Sequence, residues 1–507
     1  MRQMTLLSPA ATTRLNRFAT LLLAALIGCR IVAMILIPHT DNSESRYAEI
    51  SRKMVETGDW ITPQFSYGIP FWAKPPLSMW MSATGIELFG VNEFGSRIFI
   101  FLAAMGILAL VANVVRRETD ATTGRVAAAL LMGMPLFFYC SAAVMTDLAL
   151  SLGTTLAMVC FRTAVMENSR RWGYGFFVGL AIGLLAKGPL ALVIAIPPVA
   201  AWVFLTGHWW RSWKSLPWLG GPLLMLALAL PWYLAAENKT PGFIDYFIVG
   251  EHWKRFTVRG WTGDLYGNAH SETPGTIWLY LLIVTFPWCL GFLAVPFQRW
   301  REGRKWAMAG DGRGLYWLMW AVWPVAFFTP ARNIISTYPL PALPAIAILL
   351  AGLVQVRSDR KGFHAFHPAL VAVCLVMVLV SGVVSILAPQ FAPKKSEREL
   401  VKTFRRESGP EDRLLYFGSR RYSAEFYSDG QAETTKSISE IAIRLESPGR
   451  LFLAAKTRTF DALPPDIQRR FTRRTPLDEK RTSLYIERDD TPLMTGIDPS
   501  KIYPIGN

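Results

Sequence analysis

Long apolar runs separated by short basic loops occupy the first 390 residues of the chain. A helix of roughly 20 apolar residues spans a bilayer, so the pattern predicts about 11 membrane helices, with an upper bound of about 13. We interpret the first run as an uncleaved helix, because it is long enough to span and no small-x-small cleavage site follows it. The predicted spans lie near residues 18–38, 94–115, 124–143, 147–166, 173–187, 189–206, 216–236, 275–297, 314–330, 335–356 and 367–388.

Clusters of lysine and arginine between these runs mark the loops that should face the cytoplasm. Counted in order, every such cluster falls on the same side as the N-terminus. The opposite face then carries a first loop at 39–90, a second large loop at 237–274 and the C-terminal segment. In a bacterium this predicts an inner-membrane protein with these three segments in the periplasm. The clusters lie at 116–117, 170–171, 211–214, 299–305 and 357–361.

The C-terminal segment, residues 391–507, has the composition of a soluble domain. Strand-like pieces at 413–417, 450–454 and 483–486 alternate with helical stretches near 395–406 and 437–446, which is typical of a small α/β domain. It contains no nucleophile motif or phosphate-binding loop, and a simple solubilising cap is the alternative interpretation. We therefore divide the chain into a transmembrane domain, residues 1–390, and a periplasmic α/β domain, residues 391–507.

Composition then excludes several classes of protein. The net charge is +16, but the basic residues lie between apolar runs, which favours cytoplasmic loops and contact with anionic membrane lipids over nucleic acid. All five cysteines lie inside apolar runs and none forms a CxxC pair, so neither a disulfide framework nor a cysteine-based zinc site is expected. We expect the protein to act as a monomer.

The first loop holds the most informative group of polar residues. Apolar positions spaced by three and four over 44–57 predict an amphipathic helix on the membrane surface. Asp41 and Glu44 follow the first span, and a carboxylate there can act as general base on a sugar hydroxyl; helix capping is the alternative role. Arg46 and Lys74 could bind a lipid phosphate, or only extend towards head groups.

The ordered run ESRYAEISRKM at 44–54, followed by GDW at 58–60 and KPP at 74–76, resembles the bacterial aminoarabinose transferase and protein O-mannosyltransferase group. These are C-type (GT-C) glycosyltransferases, and the resemblance implies a polytopic α-helical fold that uses polyprenyl-phosphate-linked sugar. The usual motif in this group is an adjacent Asp-Glu pair that is followed by x-Arg-Tyr. This chain has Ser43-Glu44 there, with Asp41 two residues earlier. The resemblance thus implies a catalytic role for Asp41 first and Glu44 second, with the choice open.

Other polar residues lie at membrane depth. Asp147 stands at the external end of a span, where the resemblance implies a second acidic residue that orients a substrate or acts with the first; a helix-terminal aspartate is the alternative. Lys187 precedes Gly188-Pro189 in a broken helix and is a candidate phosphate ligand, or a loop lysine at the interface. Tyr338, and Tyr47 in the first loop, are expected to contact the carrier or its sugar, although the aromatic belt alone explains an interfacial tyrosine.

The second loop contains His252 and Arg255 in a pattern similar to the Glu-His-x-x-Arg-Phe of the relatives, and we expect both to contact substrate, with a structural role as the alternative for His252. A metal site is associated with this region in the aminoarabinose branch, with one ligand from a Glu directly before Lys-Pro-Pro. Ala73 stands at that position here. Because His252 alone is weak support for zinc, we expect no required metal or other cofactor, although a divalent ion is compatible with the sequence.

Together these features predict transfer of one sugar from a polyprenyl-phosphate carrier to a periplasmic acceptor, with inversion at the anomeric carbon. The acceptor stays open between lipid A, another envelope glycan and protein, and the sugar is also open. A transporter or flippase of a lipid-linked substrate is the main alternative, since broken helices with polar residues occur there too. A membrane scaffold is the third. The collection of polar residues at one face, rather than at the midplane, favours the enzyme.

Overall fold

The computed structural model describes residues 9–41, 43–254, 257–258, 262–267, 272–293, 311–358, 376–384, 387, 395–475 and 482–488. Within these ranges a helical bundle is followed by a smaller domain built on a β-sheet. The first helices are α1 (Pro9–Leu36), α2 (Ser43–Thr57), α3 (Leu77–Phe89), α4 (Glu93–Glu118), α5 (Ala121–Met132), α6 (Pro135–Cys140), α7 (Thr146–Glu167), α8 (Arg170–Lys187), α9 (Leu190–Thr206), α10 (Trp209–Ser215) and α11 (Gly220–Lys239).

The bundle continues with shorter helices. A π-helix covers Asp245–Lys254, and further helical segments lie at Thr276–Thr285, Leu290–Leu293, Arg313–Phe328, Leu340–Ala342 and Leu343–Ser358. A two-stranded antiparallel hairpin, β1 (Gln64–Ser66) with β2 (Ile69–Pro70), lies in the first loop.

Four helices in the described part of the chain are long and apolar enough to cross a membrane. They are Thr12–Leu36, Glu93–Glu118, Thr146–Glu167 and Gly220–Lys239. The predicted run at 124–143 is split into α5 and α6, because Pro135 cannot donate to the preceding turn and begins a new helix. Parts of the runs at 275–297 and 367–388 lie outside the described residues. The number of about 11 spans therefore stays a prediction.

Helix α2 follows the first span as predicted, and it is covered by protein on two sides. Its apolar side packs on α3, and its other side is covered by the C-terminal domain. As a result Glu49, Arg52 and Lys53 are buried together with the apolar positions. The spacing of apolar residues predicts one buried face of this helix, but it carries no information on a second protein layer.

The C-terminal domain is a three-layer α/β unit, as predicted. Its five-stranded sheet has the order β4-β3-β5-β7-β6. Strand β3 pairs in parallel with β4 and β5, whereas β7 pairs antiparallel with β5 and β6. The strands are β3 (Arg413–Phe417), β4 (Ala432–Thr435), β5 (Leu451–Lys456), β6 (Phe471–Arg473) and β7 (Thr482–Glu487).

Alternate residues along β3 point to opposite faces of the sheet, and each face is covered by its own layer of helices. Leu415 joins a core with the helices Ile438–Leu445 and Pro465–Arg469, whereas Leu414 joins a core with the helices Arg398–Glu407 and Tyr422–Tyr427. Both faces of β3 are therefore apolar, which is the pattern of a strand inside a parallel sheet that is covered on both sides.

Candidate active site

A cavity of about 350 Å³ opens at the end of the bundle that carries the first loop. One part of its wall is polar and basic, and the remainder is apolar and aromatic. The residues that line it are Lys74, Lys187, Pro189, Leu190, Val193, Glu251, His252, Trp253, Phe327, Phe328, Ala331, Asn333 and Tyr338. The predicted residues Lys74, Lys187, His252 and Tyr338 thus meet in one place, although they come from four separate segments of the chain.

Lys187 ends helix α8 and reaches the cavity from a break in the chain. Gly188 has a φ of +67°, and a Cβ there would stand 2.6 Å from the ring of Phe247, so only glycine fits. The Lys187 ammonium donates to Asp147 at 2.8 Å, and Thr337 donates to the same carboxylate oxygen at 3.0 Å. The ammonium also lies 5.1 Å from the ring centroid of Tyr338. The break therefore places a paired lysine against an aromatic wall.

Lys74 enters from the first loop, just before Pro75-Pro76 and α3. Its ammonium donates to Glu251 at 2.9 Å and to its neighbouring carbonyl on Ala73 at 2.6 Å. Glu251 is buried and also accepts from the hydroxyl of Tyr246 at 3.3 Å. Sequence reasoning missed Glu251 as a site residue, although it directly precedes the predicted His252. Its carboxylate fixes the direction in which Lys74 enters the cavity.

His252 connects the second loop to helix α8. Its Nδ1 lies 2.7 Å from the carbonyl of Phe247 and its Nε2 lies 3.1 Å from the carbonyl of Lys187. Burial lowers its pKa. Each ring nitrogen thus lies within hydrogen-bond distance of a backbone carbonyl, and the neutral imidazole donates to one of the two. This favours the structural role expected for His252 over contact with substrate.

Among the described residues, those around the cavity do not fit a metal ion. Ala73 offers no side-chain ligand, and both nitrogens of His252 face backbone carbonyls. No group of three His, Cys, Asp or Glu side chains comes together within the described ranges. The absence of a metal requirement stays a prediction that needs its own experiment.

Glu44 lies in the first turn of α2 and is only 4% exposed. Its Oε1 accepts from Arg97 at 2.8 Å and from the backbone N–H of Val144 at 3.3 Å, and it lies 3.4 Å from Nδ1 of His39. Burial alone would raise the pKa of Glu44, but Arg97 and His39 together outweigh it and hold the pKa well below its ordinary value. Such a carboxylate is a weak base.

Asp41 faces the C-terminal domain. Its carboxylate accepts from the Ser423 backbone N–H at 2.9 Å and from the Ser423 hydroxyl at 2.7 Å. Burial raises its pKa despite these hydrogen bonds. Asp41 is not among the residues that line the cavity. The resemblance implies a catalytic role for Asp41 first, with the choice open, and the structure adds a contact of Asp41 with the C-terminal domain. The loop sequence gives no sign of this partner 382 positions away.

The remaining predicted residues lie beside the cavity or outside the described ranges. Arg46 donates to the carbonyl of Tyr266 at 2.7 Å and lies over the rings of Tyr47 and Phe71. Tyr47 is buried against Phe71. Neither residue lines the cavity as described, so their predicted contact with the carrier stays a prediction. Arg255 lies outside the described residues.

Comparison with known proteins gives consistent matches. Residues 15–247 match the family described as dolichyl-phosphate-mannose-protein mannosyltransferase. Undecaprenyl phosphate-alpha-4-amino-4-deoxy-L-arabinose arabinosyl transferases match at 33% identity over 357 residues for the Edwardsiella ictaluri protein and 31% over 360 residues for that of Erwinia tasmaniensis. Each alignment covers 68% of this chain and 61% of the relative. The chain is a relative of these glycosyltransferases.

The fold supports this relationship over almost the whole chain. The crystal structure of ArnT from Cupriavidus metallidurans bound to undecaprenyl phosphate matches with a TM-score of 0.76 at 17% identity, and covers 93% of this chain and 98% of that one. The same protein in the apo state gives a TM-score of 0.70. The resemblance predicted from the first loop and the GT-C type of fold are thereby confirmed. The chain spans about three fifths of the length of the curated relatives it matches.

Proposed function

We propose that the protein transfers a single sugar from a polyprenyl-phosphate carrier to an acceptor on the periplasmic side of the inner membrane. One observation supports this above all. Two lysines, Lys74 and Lys187, line the same cavity whose remaining wall is apolar and aromatic. A ligand that satisfies both surfaces carries an anionic group joined to a hydrocarbon chain, and a polyprenyl phosphate has this chemistry.

The two lysines also suit the bond that breaks. When the acceptor oxygen bonds to the anomeric carbon, the bond from that carbon to the phosphate oxygen breaks, and its electron pair stays on the phosphate. The leaving group therefore gains negative charge. Two ammonium groups held beside it by Glu251 and Asp147 are oriented before the reaction and stabilise this charge as it develops. Attack from the face opposite the phosphate inverts the anomeric centre.

Asp147 is the base that this geometry favours, because it contacts Lys187 directly behind the cavity wall, although it is itself ion-paired and, like Asp41, is not among the residues that line the cavity. Glu44 is held by Arg97, and Asp41 is held by Ser423. The two hydrogen bonds described for Asp147, from Lys187 and Thr337, fall on a single carboxylate oxygen, Oδ1. A donor phosphate at Lys187 would share the charge of that lysine and so leave Asp147 less fully paired with it. Asp147 then takes the proton of the acceptor hydroxyl.

The relatives set the order in which substrates are tested. Their name specifies undecaprenyl phosphate and 4-amino-4-deoxy-L-arabinose, so this donor comes first. Lipid A is the first acceptor to test, followed by other envelope glycans and protein. A monomer in the inner membrane, with the cavity towards the periplasm, belongs to the same proposal.

The test uses the purified full-length protein in detergent with the donor and lipid A. Mass spectrometry follows transfer of the sugar and formation of undecaprenyl phosphate. The Asp147→Asn variant should lose turnover and still bind undecaprenyl phosphate, whereas Glu87→Gln, a matched change at an exposed carboxylate, should behave as wild type. Full turnover in Asp147→Asn would refute the assignment of the base. Binding of the carrier without any sugar transfer to any acceptor would favour the flippase instead.

A further inference from the structure

The C-terminal sheet contains a topological switch point. From β3 the chain passes through the helix Tyr422–Tyr427 to β4 on one side, and then returns through the helix Ile438–Leu445 to β5 on the other side. The two helices consequently cover opposite faces of the sheet. The segments that leave β3 and β5 diverge, and a crevice forms outside the carboxyl ends of these strands. In open α/β sheets this is the place where ligands bind.

A cavity of about 190 Å³ occupies this crevice. It is a separate space from the cavity in the bundle and shares none of its lining residues. Its wall is formed by the ends of β3 and β5, by the turns that follow them and by the start of β7. The residues are Tyr416, Phe417, Gly418, Ser419, Arg421, Ala454, Ala455, Lys456, Thr459 and Thr482.

The wall of this cavity carries basic side chains. Of its described residues only Arg421 and Lys456 are charged, and the hydroxyl groups of Ser419 and Thr459 add hydrogen-bonding capacity. Behind the wall, Glu397 accepts from Thr482 at 3.0 Å and lies 3.5 Å from Arg421.

Burial raises the pKa of Glu397. The positive charge of Arg421 is balanced by the Glu397 carboxylate, because the two groups form an ion pair. Lys456 is exposed and has no ion pair within the described ranges, so it leaves one positive charge at the mouth of the cavity.

We propose that this crevice is a second ligand site, which binds a sugar bearing one anionic group, such as a phosphate or carboxylate. The hydroxyl groups of the wall match the hydroxyl groups of a sugar, and Lys456 matches the anion. The inference is independent of the transfer reaction, since it rests on the sheet and its own cavity. The turn that forms the wall also leads directly into Ser423, the partner of Asp41, so the site lies beside the contact with the first loop.

Hydrogen exchange of the full-length protein in detergent tests the proposal, with glucose 1-phosphate as the probe and glucose as the neutral control. Glucose 1-phosphate should slow exchange in peptides that cover residues 416–422 and 455–461, whereas glucose should have a much smaller effect. Lys456→Gln should raise the concentration needed for half protection about tenfold, the size of one lost charge-assisted hydrogen bond. Thr459→Val should weaken binding as well.

Arg458→Gln provides the matched control. This exposed basic residue lies next to Thr459 but does not line the cavity, so its removal should leave the protection unchanged. Lys74→Met should also leave it unchanged, which separates this site from the cavity in the bundle. Protection that is absent at millimolar glucose 1-phosphate, or that is equal in wild type and Lys456→Gln, would overturn the proposal.

Discussion

Replacing Glu44 by glutamine separates its two possible roles. As a base, Glu44 would be needed for turnover and not for folding. As the partner of a buried arginine, it would be needed mainly for folding. The side chains of Glu44 and Arg97 are 5% and 3% exposed, and Arg97 also donates to the carbonyls of Met34 and Ile37 at the end of α1. The substitution keeps the shape of the side chain and removes its charge.

The structure gives the size of the effect. Removing one member of a buried ion pair typically costs about 3–5 kcal/mol, because the remaining charge is uncompensated. The carbonyl of a glutamine can still accept from Nε of Arg97, so we expect the lower end, about 3 kcal/mol. In the Glu44→Gln, Arg97→Gln double variant no unpaired charge remains. Its loss should therefore be smaller than the sum of the two single losses, by an interaction energy of about 2 kcal/mol.

Equilibrium unfolding in mixed micelles, followed by tryptophan fluorescence, measures these differences. The pKa of Glu44 is lowered in the folded state, so its stabilisation is complete above the ordinary value of 4.5 and is lost as the pH falls below it. The difference between wild type and Glu44→Gln should therefore shrink below about pH 4.5. A variant with wild-type stability and no turnover would refute this reasoning, and would make Glu44 the base in place of Asp147.

Three further predictions concern the cavity, the domain contact and the metal. Lys74→Met should lower kcat/KM for the carrier-linked sugar at least tenfold, since a charge-assisted hydrogen bond to the phosphate is lost. Lys239→Met is the control, because this exposed lysine forms its ion pair outside the cavity. Equal kinetics of the two variants would contradict the prediction. Asp41→Ala should lower the free energy of unfolding by about 1–3 kcal/mol, because it leaves the buried N–H of Ser423 unpaired. Asp41→Asn keeps an acceptor and should retain both stability and turnover. Chemical unfolding and turnover assays test this, and a stable but inactive Asp41→Asn variant would make Asp41 the base. Prolonged treatment with EDTA should leave the initial rate unchanged, and restoration of a lost rate by zinc would show that a metal is required.

The site residues that can be predicted from the sequence are those whose neighbours in the chain already indicate their position. Lys187 was predicted as a phosphate ligand because a Gly-Pro pair breaks the helix directly after it, and the break does bring it to the cavity. Lys74 is predicted as a basic residue at the depth of the interface, and it lies directly before Pro75-Pro76. In both cases the lysine lies where the chain changes direction at a proline. The fold class was predictable for a similar reason, since long apolar runs have few alternatives to membrane helices.

The unpredictable part depends on contacts between distant segments. Asp41 and Glu44 are three positions apart and the sequence leaves the choice of base between them open, yet one contacts Ser423 and the other contacts Arg97. Glu251 carries no local signal of its partner, and only the position of Lys74 assigns it a role. Sequence spacing gives the face of a helix on which a residue lies, whereas the partner across that face is set by tertiary packing.

The C-terminal domain has a larger part in the site than a solubilising cap would have. Lys53 of α2 is 1% exposed, and its charge is balanced by Glu49 at 3.3 Å and by Glu425 of the C-terminal domain at 3.2 Å. Arg420 of the same domain donates to the carbonyl of Phe65 in the first loop at 2.9 Å. Buried charges of this kind are costly unless they are paired, so α2 is stable in its place only with both layers present. Because α2 also carries Glu44 and Arg46, the external domain contributes to the geometry of the first loop.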